Sequence, residues 1–238
     1  GTANGAGTLT IGAGSTVVSA GLSTSALTVS GHVQIASSSG QPAGTSKVNS
    51  LTVTASTGQL DLRNNDLIVE TTAAAKAATM SSLRALVTSG SNGNAWNGSG
   101  IVSTSLIDTS HYTVAVGDNA ALIKTTFGGV AVDANSVLVA AERYGDATMD
   151  GTVGDNDVAI VLANYGSTTQ DWSKGNFLQT ATVGDSDVAL VLANYGVSGV
   201  SANLLPAVTS TPAVLGSPAA VPEPSALALW AVGAIGLI

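Results

Sequence analysis

The feature that most constrains this chain is a duplication: TVGDNDVAIVLANYG at residues 152–166 returns thirty residues later as TVGDSDVALVLANYG at 182–196. Copies this similar are expected to fold alike, and each reads as a loop running into one short helix. In the first copy, residues 158–164 form the apolar helical run, with Ile160, Val161 and Leu162 able to pack and Gly166 placed as a C-cap. Asp157 stands at the helix start, where a carboxylate suits the positive end of the helix dipole. The second copy predicts the matching helix over 188–194, with Trp172 between the two as a core residue.

The residues before the first helix carry chemistry. A hard cation such as Ca²⁺ needs oxygens at alternating positions of a tight loop, a glycine at the sharp turn, and a carboxylate closing the loop from the following helix. With Asp146 as position 1, Thr148 falls at 3, Asp150 at 5, Gly151 at 6, Thr152 with its carbonyl at 7, and Asp157 at 12. Val153 at position 8 is the apolar residue expected to pair with Val183 of the other copy. An ordinary Asp-Gly surface turn is the plainer reading. The full spacing, the apolar position 8 and the copied helix favour calcium, bound by Asp146, Thr148, Asp150, Thr152 and Asp157. The second loop departs: Asn176, Leu178, Thr180 and Ala181 replace the first-loop residues, and only Asp187 keeps its acidic position. One calcium site is therefore expected, with the second loop degenerate.

Residues 1–72 repeat a different theme. The triplets Leu9-Thr10-Ile11, Leu27-Thr28-Val29, Leu51-Thr52-Val53 and Leu67-Ile68-Val69 start at 9, 27, 51 and 67, separated by Gly, Ser, Asn and Asp. They read as brief strands at intervals near the length of a β-solenoid rung. A helix is predicted near 73–88, with Thr71 and Thr72 as caps, and strands resume at 101–102, 112–116 and 137–140. The expected fold is thus mainly β: a parallel β-helix over 1–141, with a β-sandwich as the alternative, followed by a small α-helical EF-hand-like pair over 142–200.

The chain has 15 acidic and 7 basic residues, a formal charge of -8, which argues against nucleic acid because phosphate binding needs clustered Lys and Arg. With no cysteine, any cross-link must come from oxygen-ligand metals or packing. Gly1 follows no initiator Met or export leader, so a fragment is expected. A Pro/Ser/Ala linker spans 201–220, and VPEPSALALWAVGAIGLI at 221–238 ends in an apolar run shorter than the roughly 20 residues that span a bilayer.

The pair GDATMDGTVGDNDVAIVLANYG and GNFLQTATVGDSDVALVLANYG resembles the dockerin type I repeat, in the form found near the C-termini of exported planctomycete-type proteins. That resemblance implies two loop-helix units packed as one small calcium domain; some members dock onto cohesin domains, and positions 10 and 11 of each loop influence partner choice. Those positions here are Asp155-Asn156 and Asp185-Ser186, unlike the hydroxyl-rich pairs of cellulosomal dockerins. The tail looks like a truncated PEP-CTERM sorting signal, with its motif at 222–224, and implies export with transient membrane anchoring.

Two functions from different classes are consistent with these signals. The first is a cell-surface or matrix structural and interaction protein, its partner a cohesin-like domain or an extracellular polysaccharide. The second is the C-terminal piece of a carbohydrate-active enzyme. A glycosidase needs two carboxylates across a cleft, and residues 1–140 show only the scattered acids Asp61, Asp66, Glu70, Asp108, Asp118 and Asp133. His32 and His111 stand alone in sequence, so no catalytic residue is predicted. Trp96 and Tyr112 offer a weaker glycan-binding idea, set against a packing role.

Overall fold

The structure is a computed structural model and describes residues 3–37 and 44–199. Seven strands come first: β1 (Ala3–Ile11), β2 (Thr16–Ser19), β3 (Leu22–Val29), β4 (His32–Ile35), β5 (Ser46–Val53), β6 (Gln59–Asp61) and β7 (Leu67–Val69). Helix α1 (Lys76–Ser91), β8 (Gly100–Val102), β9 (Tyr112–Asp118) and the single turn α2 (Asn119–Leu122) follow. The hairpin β10 (Thr126–Phe127) and β11 (Val130–Ala131), then β12 (Val137–Arg143), lead to helices α3 (Asp155–Ala163) and α4 (Asp185–Ala193).

The apolar triplets share one sheet. Leu9, Leu27 and Leu51 lie opposite one another, as do Ile11, Val29 and Val53, in parallel register. The fourth triplet slides along its neighbour, setting Leu67 against Ser46. This sheet runs β1-β3-β5-β7-β12-β9, and β12 is antiparallel to both β7 and β9. A second, all-parallel sheet runs β2-β4-β6-β8.

Alternation along β3 explains how the sheets meet. Leu22 and Thr24 are buried before an irregularity at Ser25 and Ala26, and Leu27 and Val29 after it, so the change of phase keeps Leu22, Leu27 and Val29 turned inward as one apolar face. That face packs with Val33, Ile35, Leu60 and Ile101 of the second sheet, and Met80, Leu83 and Val87 of α1 join the same core. Each fully buried aliphatic side chain contributes roughly 2 kcal/mol.

β7, β9 and β12 differ in being buried on both faces, which is why they read as unbroken apolar runs rather than alternating ones. Val137, Val139 and Ala141 join the first core. Leu138 and Ala140 face the other way, into a second core with Ile68 and Ala115. The remainder of that second core comes from the duplicated segment: Ala147, Met149, Val153, Val161, Trp172, Phe177, Val183 and Val191. The boundary placed at 141/142 falls inside β12, and the residues on its two sides share this core. All described residues belong to one compact unit.

The fold class differs from the expected one. Both the mainly β solenoid and the sandwich alternative are corrected: the chain is α/β in type, with mixed and parallel sheets and four α-helices. The triplet spacing registers short parallel strands but not what completes their sheet. After β7 a 16-residue helix intervenes, and the sheet is finished by β12 and β9 in antiparallel sense. A sandwich of antiparallel strands is overturned by the all-parallel second sheet. The linker at 201–220 and the tail at 221–238 lie outside the described residues.

Candidate metal centre

The two loop-helix copies are related by reciprocal contacts. Gly145 and Gly175, one residue ahead of each loop, both have positive φ, 102° and 85°. A Cβ at Gly145 would lie 2.9 Å from Val191 Cα of α4, and one at Gly175 would lie 3.0 Å from Val161 Cα of α3. Each loop therefore starts in close approach to the helix of the other copy. Tyr165 donates its hydroxyl to Asp185 at 2.5 Å, and Tyr195 donates to Asp155 in the same way. Val153 and Val183, expected to pair with each other, instead pair crosswise: Val153 with Gly196 and Val197, Val183 with Gly166 and Ser167. Both valines are buried in the shared core.

The first loop gathers its carboxylates around backbone N–H groups. Asp146, fully buried, accepts from the backbone of Asp150 at 3.2 Å and Gly151 at 2.7 Å, and from the Thr148 hydroxyl at 3.1 Å. Asp157 accepts from Thr148 N at 2.9 Å with one oxygen and from Gly154 N at 2.8 Å with the other, capping α3 while reaching back across the loop. Asp150 accepts from Thr152 N at 2.9 Å with Oδ1. Gly151 turns with φ 87°, a conformation that favours glycine. A carboxylate oxygen has two lone pairs, so these bonds fix the carboxylates and leave acceptor capacity for a cation. Burial pushes the Asp146 carboxyl up to about 6, its backbone donors oppose that shift, and the Asp157 charge adds to it. Bound calcium would reverse the balance by favouring the ionised form.

The loop thus brings together all five predicted residues, Asp146, Thr148, Asp150, Thr152 and Asp157, and ties them to one another by the bonds above. Thr152 takes part here through its backbone N–H, while its carbonyl, the predicted ligand, makes none of these bonds. Among the described residues no three His, Cys, Asp or Glu side chains stand together as a ready metal cluster, the loop carboxylates being turned to loop N–H groups.

The second loop is closed by its own side chain. Asn176, fully buried, donates its amide to the carbonyls of Thr169 at 2.6 Å and Thr180 at 2.8 Å, and accepts from Thr180 N at 3.0 Å. Asp187 accepts from Phe177 N at 2.9 Å and Gly184 N at 3.0 Å, repeating the helix cap of Asp157. Ala181 does not adopt the left-handed turn of Gly151. A neutral amide satisfies this loop internally, whereas the first loop carries three carboxylates.

Trp172, between the copies, is buried and donates its indole N–H to the carbonyl of Asp146 at 2.6 Å, with Phe177 packed edge-on at 4.9 Å. It is a core residue, as expected, that also touches the start of the first loop. Arg143, at the end of β12, donates to Asn194 at 2.8 Å and to the Tyr112 hydroxyl, and so ties the end of α4 to the sheet.

His32 and His111 are both exposed. His111 uses the same ring nitrogen, Nδ1, toward both Asp108 and Ser110 on an exposed turn. In a nucleophilic triad the base instead divides its two nitrogens between nucleophile and orienting acid. His32 meets Gln59 at 3.1 Å on the exposed face of the smaller sheet. Trp96 and Tyr112 are 3% and 1% exposed, so their rings are packed inside rather than offered to a glycan.

One further buried group was missed in the sequence. Glu142 lies in β12 with 4% of its surface exposed, and its Oε2 has no hydrogen-bond partner. A charged residue within the apolar run VLVAAER was the available signal.

Comparison of the chain with protein-family models, with curated proteins and with solved structures finds no match.

Proposed function

We propose that this chain is an exported surface or matrix protein, in which the duplicated loop-helix pair is a calcium-stabilised interaction module holding one ion in its first loop. The ligands are Asp146, Thr148, Asp150, the Thr152 carbonyl and Asp157. The observation that carries the reading is the asymmetry of two otherwise reciprocal loops: one carries three carboxylates, each held on backbone N–H groups, and a single buried amide closes the other. Oxygen donors at this spacing suit Ca²⁺ rather than a soft transition metal. Export rests on the Pro-Glu-Pro tail at 222–224, outside the described residues. A partner, whether a cohesin-like protein domain or a polysaccharide, would meet the outward side of the helix pair. There Leu162, Tyr165, Leu192 and Tyr195 are each half exposed or more, two from each copy.

The test is calorimetric titration of Ca²⁺ into the metal-free full chain, followed in parallel by tryptophan fluorescence, which Trp172 beside the loop should report. Uptake near one equivalent, lost in Asp150→Ala and Asp157→Ala, is expected. No heat and no spectral change would reduce the duplication to an apolar helix pair.

A further inference from the structure

The sheet beneath the first loop holds a carboxylate that the loop reading leaves unexplained. Glu142 lies opposite Thr113 in the β12–β9 ladder, two residues beyond Ala140 on the same face. That face is the one covered by Ala147, Met149 and Val153 of the first loop. Glu142 is buried, and no hydrogen bond satisfies its Oε2. A buried carboxylate without donors costs several kcal/mol unless it takes a proton or meets a cation. Its strongest charge neighbour is Asp146, with Asp66 and Asp150 adding the same sign and only Lys124 opposing, all of which accompanies a carboxyl pushed well above its ordinary range by burial. Either a proton or a cation among these like charges relieves their repulsion.

The coordination need points the same way. Ca²⁺ takes six to eight oxygens, and the loop offers five residues. Its closing residue, Asp157, is one methylene shorter than the glutamate that usually closes such a loop and already accepts two backbone N–H bonds.

We propose that Glu142 belongs to the cation site, as a carboxylate that strand β12 supplies from the sheet side to an ion held by the loop at 146–157. The site is then built from two parts of the fold, and cation binding joins the loop-helix pair to the sheet. This inference rests on the calcium reading above and deepens it.

Glu142→Gln keeps the shape of the side chain and removes its charge. The test uses the full chain, with CaCl₂ titrated into metal-free wild type and Glu142→Gln, and urea unfolding of both in chelator. The expected result is at least a tenfold weaker calcium affinity for the variant, with metal-free stability equal to or above that of wild type because a buried charge has gone. Equal calcium affinity in both proteins would overturn this inference while leaving the loop site standing. A variant less stable than wild type in chelator would also overturn it, by showing that Glu142 serves the fold itself. Absence of binding to wild type would remove the calcium reading, and this inference with it.

Discussion

Asn176 and Asp146 hold the same position in two copies of one loop, and the difference between an amide and a carboxylate decides what each loop needs. The Asn176 amide donates to two carbonyls. Asn176→Asp would turn a carboxylate toward both, leaving two buried acceptors unpaired and burying a charge. A loss of at least about 3 kcal/mol at pH 7 is expected, read from the urea midpoint. Part of it should return at pH 4, where the protonated acid can donate to one carbonyl. Trp172→Phe tests the neighbouring contact: the bond to the Asp146 carbonyl is lost and the smaller phenyl leaves part of the buried indole's space unfilled. Together these should cost about 2–4 kcal/mol in chemical denaturation, and an unchanged midpoint would mean that neither the bond nor the packing contributes.

At the scale of elements, the helix pair depends on close backbone approach. At Gly175, φ is 85° and an added Cβ would lie 2.6 Å from Val161 Cγ2. Gly175→Ala therefore combines left-handed strain with overpacking against α3, and a loss of about 2–4 kcal/mol is expected. Gly166→Ala serves as comparison, since its φ is 78° but nothing lies within 4 Å of its added Cβ. It should show the strain alone, a loss of about 1 kcal/mol. Equal losses in thermal or urea unfolding would show that the approach to Val161 carries no cost. The helices themselves were legible. The runs predicted over 158–164 and 188–194 correspond to α3 (Asp155–Ala163) and α4 (Asp185–Ala193), and the helix near 73–88 to α1 (Lys76–Ser91). Apolar spacing and a capping Asp are local properties, and local properties are written in sequence. The strands β2, β4 and β6 were passed over, because four residues such as TVVS or HVQI carry too little alternation to stand out.

For the whole molecule the shared second core makes a prediction about cooperativity. Trp172, Phe177, Val161 and Val191 pack with Ile68, Leu138 and Ala140, so neither the sheet nor the helix pair can open alone without exposing the other. Circular dichroism of the sheet and tryptophan fluorescence should unfold together, and calcium at a hundredfold excess over its Kd should stabilise both by about 2.7 kcal/mol. Two separate transitions would show an independent module. Acidity acts on the same unit. Burial pushes Asp66 from the ordinary 3.8 up to about 7, with Lys124 opposing. Between those values the folded state binds more protons than the unfolded one. The contribution of Asp66 to metal-free stability is thus fully present below about pH 4 and is lost as pH rises toward 7. Asp66→Asn should make that fall shallower, and an unaltered slope of stability against pH would exclude Asp66 as a source.

The sequence by itself determined the duplication, the three principal helices, the strands built on apolar triplets and the spacing of Asp146, Thr148, Asp150, Thr152 and Asp157, because each depends on residues close along the chain. Only the tertiary structure decided that β12 runs antiparallel and finishes a mixed sheet, and that Val153 and Val183 pair crosswise. It also decided that Glu142 lies buried beneath the loop. Those outcomes arise from which faces find each other once the chain has closed, and burial of a shared apolar surface between distant segments leaves no periodic mark in either segment alone.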